Sequence, residues 1–214
     1  MGLVNRIRGK VGCGTNPTLS QFLNTPFSKI EVRCTLKNGI PFGSSSPLVW
    51  AQPRATSRAY ELRSADSLVG YLRFEKSCGS LASAEVASQK WSFKRIGFLA
   101  PSVTVRSPNL GTDIAVFRPH WGSGGTLHFA DGHQAQWRCT NFWGSQWAFV
   151  GSDNHIVVRF SHHEGFFKAS AQLEFEHSST ALPEFPLLVA LGWYLMILAA
   201  DDAAVVIASS VVTG

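Results

Sequence analysis

The side chains that could do chemistry in this chain are few and widely spaced. His162, His163 and Glu164 form the one compact trio of metal-ligating types. Neighbouring residues of a strand point to opposite faces, and zinc needs three or four converging ligands. Beside Gly165 the trio therefore reads as a solvated hairpin tip, and no metal is expected. His120 and His128 have no partner within reach in sequence and read as structural histidines. Cys13, Cys34, Cys78 and Cys139 match no CxxC pair, which argues against both zinc and a disulfide framework. Gly122-Ser123-Gly124-Gly125 lacks the lysine and helix that a phosphate cradle requires, and no nucleophile elbow or dinucleotide fingerprint occurs. Neither an enzyme nor a cofactor is expected.

The cations are more informative. The chain has 19 Lys and Arg against 14 Asp and Glu, a net charge of +5. Arg6, Arg8, Lys10, Lys29, Arg33, Lys37, Arg54 and Arg58 precede residue 61, with Glu31 as the single acid among them, so the rest of the chain is slightly negative. Lys90, Lys94 and Arg95 interleave with Trp91 and Phe93. If the aromatics face a core, Lys90 and Lys94 face solvent, where each cation near an anionic headgroup contributes about 1 kcal/mol. Arg54 and Arg58 form a second basic pair. These five are the candidate ligands for anionic lipid, and an ordinary solubilising exterior accounts for them equally well.

These residues must be held by strands. Short alternating segments recur every 8 to 12 residues, the spacing of a sandwich or barrel. Ala82, Ala84 and Val86 share one face, Ala135, Trp137 and Cys139 another, and Ala169, Ala171, Leu173 and Phe175 a third. Asp131-Gly132 predicts a two-residue type I′ hairpin. About twelve strands are expected. After them, Phe185 to Ala200 carries no charge and is apolar on every side, so as a helix it has to be enclosed. Taken as 186–200 it rises roughly 22 Å at about 1.5 Å per residue, short of a hydrocarbon core about 30 Å thick. A closed antiparallel barrel around this helix meets both requirements, since a comparable helix-filled barrel is known. Leu187, Leu188, Leu191, Trp193, Leu195 and Leu198 would form its core face, and Gly192 would mark a close approach to the wall. Asp201 and Asp202 would mark emergence into water.

The expected organisation is a basic, poorly structured extension over 1–46, a barrel over 47–202 and a tail over 203–214. The first ten residues lead into polar VGCGTNPT, so no secretory signal is expected, while the Ser/Thr-rich, acid-poor extension has the composition of an organelle transit peptide.

The order AYELR (59–63), VGYLRF (69–74), KWSFKRIGF (90–98), LHFADGHQAQW (127–137), FWGSQWAFV (142–150) and LLVALGWYLMIL (187–198) resembles the tubby C-terminal-like superfamily. That group comprises tubby proteins, phospholipid scramblases, plant LURP-one-related proteins and many bacterial members, to which the likeness is closest. The resemblance spans 47–202 and implies a twelve-stranded barrel around a hydrophobic helix. It also implies binding of anionic lipid through surface cations, though the tubby phosphoinositide site has no residue-by-residue match here. Scramblases carry an acidic calcium loop before the helix, where this chain has HSSTALPEFP with Glu184 as its one acid, and the scramblase cysteine cluster is missing.

The leading functional expectation is a non-catalytic binding module at an anionic membrane surface, cytoplasmic, peripheral and monomeric, with no nucleic-acid partner. The alternatives are a structural or regulatory domain that binds another protein, and a scramblase-like membrane protein whose helix enters lipid.

Overall fold

The computed structural model describes residues 47–65, 67–97, 99–108, 110–121, 123–164 and 168–212, the side chains of His163, Glu164 and 206–212 excepted. The extension over 1–46, with Cys13 and Cys34, lies outside the described residues. Twelve strands follow one another: β1 (Leu48–Ala51), β2 (Ala59–Ser64), β3 (Ser67–Phe74), β4 (Ala82–Val86), β5 (Gln89–Ile96), β6 (Ser102–Arg106), β7 (Asp113–Pro119), β8 (Gly125–Phe129), β9 (Gln134–Cys139), β10 (Gln146–Val150), β11 (Ile156–Glu164) and β12 (Ala169–Glu174). A 3-10 turn (His177–Ala181) leads into α1 (Phe185–Val212).

Each strand pairs antiparallel with its sequence neighbours, and β1 closes on β12 through Leu48↔Leu173 and Trp50↔Ala171. Closure leaves no open sheet edge. The expected closed antiparallel barrel around a C-terminal apolar helix is the architecture found. Because the strands simply alternate in direction, the connections fall at two ends. The β2–β3, β4–β5, β6–β7, β8–β9 and β10–β11 loops surround the start of α1 at the near end. The remaining loops surround its departure at the far end.

Alternation sets the inside of the wall. Leu62, Leu72, Ala82, Ala84, Val86, Phe93, Val105, Leu127, Phe160 and Ala171 all point inward and are buried. The helix lies closest to β3, β4, β5, β10 and β11. Ala82 and Ala84 make room on β4, and at Gly192 an added Cβ would sit 2.4 Å from the Phe160 ring. Large rings also pack against one another inside the wall, the Trp137 and Phe149 ring centres lying 4.7 Å apart. Trp193 stacks parallel to Trp50 and meets Tyr60 edge-on, while Tyr194 lies between Phe74 and Phe93. Each fully buried side chain of this size contributes about 1.5–3 kcal/mol.

Three sequence expectations are corrected. The β8–β9 hairpin is not type I′, because Gly132 has a positive φ (94°) and Asp131 does not. The Gly132 N–H donates to Phe129 O (3.1 Å) and the Phe129 N–H to His133 O (3.0 Å), giving the longer loop in which glycine holds the left-handed position. The two-residue hairpin with both φ positive is Ala87-Ser88 (50° and 67°), between the paired Val86 and Gln89. The helix does not stop at Ala200 but continues through 203–212, 28 residues in all. Nothing in AAVVIA breaks a helix. At about 1.5 Å per residue it is roughly 42 Å long, so length does not separate it from a membrane span. Its first half is enclosed by the barrel. The third correction concerns His162–Glu164, which belong to β11 and pair with Ala169–Ala171 rather than forming a turn.

Candidate functional site

The far end gathers what the strand pattern kept apart. Of the expected lipid ligands, Lys94, Arg95, Arg54 and Arg58 all lie there, on the end of β5 and in or beside the β1–β2 loop. Lys90 sits at the opposite end of β5, where its Nζ pairs with Glu85 at 3.4 Å.

Two of the four are committed to the fold. Arg58 donates to Ser77 O (3.1 Å), Gly79 O (3.0 Å) and the Asp201 carboxylate, and its guanidinium lies 3.9 Å from the centre of the Phe74 ring. Arg95 Nη1 donates to both oxygens of Asp202, at 2.9 and 2.6 Å. Asp201 and Asp202 therefore clasp the helix to the barrel rim rather than simply marking its emergence. Burial pushes the Asp201 carboxyl up from its ordinary value against the pull of Arg58, so desolvation outweighs this pair's attraction. The hydrogen bond to Asp202 raises the Arg95 guanidinium.

Lys94 and Arg54 are exposed and make no ion pair among the described residues, and the same holds for Lys76 and Arg118, which sequence reasoning did not single out. Arg73 and Lys168 stand at this end too, the latter donating to Pro53 O. The acids placed here are Glu75, Glu164, Asp201 and Asp202, the last two already paired.

Exposed apolar side chains gather on the same end. Trp121 lies in the β7–β8 loop, fully exposed, Phe142 (93%) and Trp143 (84%) in the β9–β10 loop, and Leu99 in the β5–β6 loop. Val205, on the part of α1 that projects past the clasp, is also exposed, whereas among the described residues Leu110 stands alone at the near end. Alternation could not reveal this cluster, because its members sit in separate loops. The signal available in sequence was aromatic residues inside turn segments.

Beneath the Phe142-Trp143 loop a slot of about 220 Å³ opens between α1 and β9–β11. Trp137, Trp147, Met196 and Ile197 line it, half-buried His162 forms part of its wall, and Gly144, Ala199 and Ala200 are exposed at its mouth. Trp193 lies at its depth, fully buried, and its indole N–H has no acceptor.

Among the described residues no group of three or more His, Cys, Asp or Glu could hold a metal ion. His120 Nε2 lies 2.9 Å from Thr126 Oγ1, and His128 is half-buried in β8. Cys78 and Cys139 are free thiols.

The fold and this surface define a helix-threaded antiparallel barrel with one basic, aromatic end. Compared with protein-family models, with curated proteins and with solved structures, the chain matches none.

Proposed function

We propose that this protein is a non-catalytic module of the tubby and scramblase type that docks its far end on an anionic membrane surface. The carrying observation is the coincidence at that end of exposed Trp121, Phe142 and Trp143 with unpaired Arg54, Lys76, Lys94 and Arg118. Amphipathic rings favour the boundary between headgroup and acyl chain. Cations near an anionic leaflet add about 1 kcal/mol each, within a Debye length of roughly 8 Å at physiological salt. The projecting, apolar end of α1 points the same way, and the slot under Phe142-Trp143 offers room for a segment of acyl chain.

Co-sedimentation of detergent-free protein with phosphatidylcholine vesicles, with and without phosphatidylserine, tests the reading at low and high salt. The expected result is pelleting with anionic vesicles that weakens in salt. Equal indifference to both vesicles would overturn it and leave a protein partner for the same aromatic patch. A scramblase role would instead require α1 to leave the barrel, giving up the bond from Trp50 Nε1 to Val189 O (3.3 Å) and both Asp clasps.

A further inference from the structure

At the near end a separate cleft of about 390 Å³ lies where the β8–β9 and β10–β11 loops meet the 3-10 turn and the first residues of α1. Its volume is within the range typical of small-molecule sites.

The two loops are built alike. The N–H of Gly151 donates to His155 O (2.9 Å), as that of Phe129 does to His133 O. Asp131 Oδ1 accepts from the His133 N–H (3.2 Å) and Asp153 Oδ1 from the His155 N–H (3.1 Å). Each loop thus presents a histidine at the cleft, two residues after an aspartate.

His133 is the better defined of the two. Its ring stacks on Phe129 at 3.8 Å and its Nδ1 lies 2.5 Å from Asp131 Oδ1. The Asp131 carboxyl, held below its ordinary range first by the His133 backbone N–H, is ionised at neutral pH and can only accept. Nδ1 therefore carries the proton, and in the neutral ring Nε2 is an acceptor. In that neutral form Nε2 and Glu184 Oε1, 4.0 Å apart, are two converging acceptors with no donor between them. His155 Nε2 stands 3.9 Å from Glu176 Oε2, which also accepts from the Ser178 hydroxyl (3.4 Å).

The inner wall holds a further unsatisfied group. Ser179 is 2% exposed, lines the cleft, and its Oγ has no hydrogen-bond partner. A buried hydroxyl without a partner is costly unless something supplies one. The floor between these groups is apolar, formed by Ala135, Val157, Leu182 and Leu188. Among the described residues no Lys or Arg lines the cleft, although Asp153 and Glu184 do, and nearby Arg138 is engaged with Gln136 and Asn154.

We propose that this cleft binds a short aliphatic diamine or polyamine, one ammonium bridging His133 Nε2 and Glu184 Oε1 and the methylenes lying on the leucine floor. The ammonium supplies the donors that the converging acceptors lack, and a charge-assisted bond to Glu184 is the strong kind. A second amino group meets the His155–Glu176 pair or the Ser179 hydroxyl. The site is independent of the membrane-facing end.

Isothermal titration of the full-length protein with spermidine at pH 8 tests this, with ethylamine, calcium and zinc as comparison probes. Spermidine is expected to bind at one site, at least tenfold more tightly than ethylamine. Glu184→Gln should weaken it at least tenfold and Ser179→Ala several-fold, while Glu75→Gln at the far end changes nothing. Near-UV circular dichroism identifies any variant that has lost its fold, in which case His133→Gln takes its place. Spermidine binding that is absent, or unchanged in folded Glu184→Gln, overturns the proposal. So does a preference for calcium or zinc over the amine.

Discussion

The two ends of this barrel are made from the same strands and have opposite surfaces. At the near end the cations of the wall are spent: Lys90 on Glu85, Arg106 on Asp113, Arg159 on Glu174 and Arg63 on Glu61. Around the cleft Asp131, Asp153, Glu176 and Glu184 have histidine or backbone neighbours and no Lys or Arg partner among the described residues. At the far end Asp201 and Asp202 are spent on Arg58 and Arg95, and Arg54, Lys76, Lys94 and Arg118 are left among exposed rings. A net charge of +5 is therefore a poor guide to what the molecule meets. What matters is which charges remain unpaired, and on which end.

The helix shows the contrast most sharply, since its first half lies within the barrel and its last part projects. Leu187 is 3% exposed, whereas Val205 is 68% exposed. Leu187→Asp places a charge where no partner exists, costing several kcal/mol, and should abolish the cooperative thermal transition. Val205→Asp should leave that transition within a degree or two. A folded Leu187→Asp protein would sink the enclosed-helix assignment.

The tyrosines test the far end and its wall without mutation. Burial raises all three of the chain's phenols: Tyr60 against the pull of Arg58, Tyr194, which donates to Ser80 O (2.6 Å), and Tyr71, pushed up to about 12 with help from Glu85. Above the ordinary value of about 10, the unfolded chain loses protons that the folded chain keeps. Stability should thus be unaffected below that pH and fall as pH rises beyond it. Absorbance at 295 nm should show little tyrosinate at pH 10.5 in the native protein and most of it in denaturant. Equal titration in both states would contradict the packing around Tyr194.

Much of this was legible because a strand's period of two leaves little freedom. Ala82, Ala84 and Val86 announced an inward face, the unbroken apolar run of 185–200 announced an enclosed helix, and Gly192 announced contact with the wall. The turns were less legible. Asp131-Gly132 carries the familiar signature yet forms the longer loop, while Ala87-Ser88 adopts two left-handed conformations that neither side chain favours. There the register of β4 on β5, fixed by inward Ala84 opposite Trp91, overrides local preference. The surfaces were least legible, because Arg58 and Arg95 resemble free cations until a helix residue more than a hundred positions away arrives to pair with them.

The exposed rings give the next effect in size. Trp121→Ala with Trp143→Ala should lower partition onto anionic vesicles by about ten- to a hundredfold, on the assumption that each ring regains roughly half of the ~1.5–3 kcal/mol of full burial. Thermal stability should not change, since neither ring packs on the core. Vesicle binding that survives both changes would mean that the aromatic loops face a protein instead.

The smallest effect is also the most discriminating. Lys90 and Lys94 lie four residues apart on β5, on the same solvent face, and differ only in the end they approach. Lys94→Ala should weaken vesicle binding several-fold, about 1 kcal/mol for one cation near an anionic surface, and the loss should vanish in high salt. Lys90→Ala removes an exposed pair with Glu85, of a kind that contributes at most about 1 kcal/mol to stability, and should leave vesicle binding unchanged. Equal losses from both would mean that anionic membrane is attracted by the whole barrel rather than by one end. A loss from Lys90→Ala alone would reverse the orientation and place the membrane against the polar cleft, where Asp131, Asp153, Glu176 and Glu184 would oppose it.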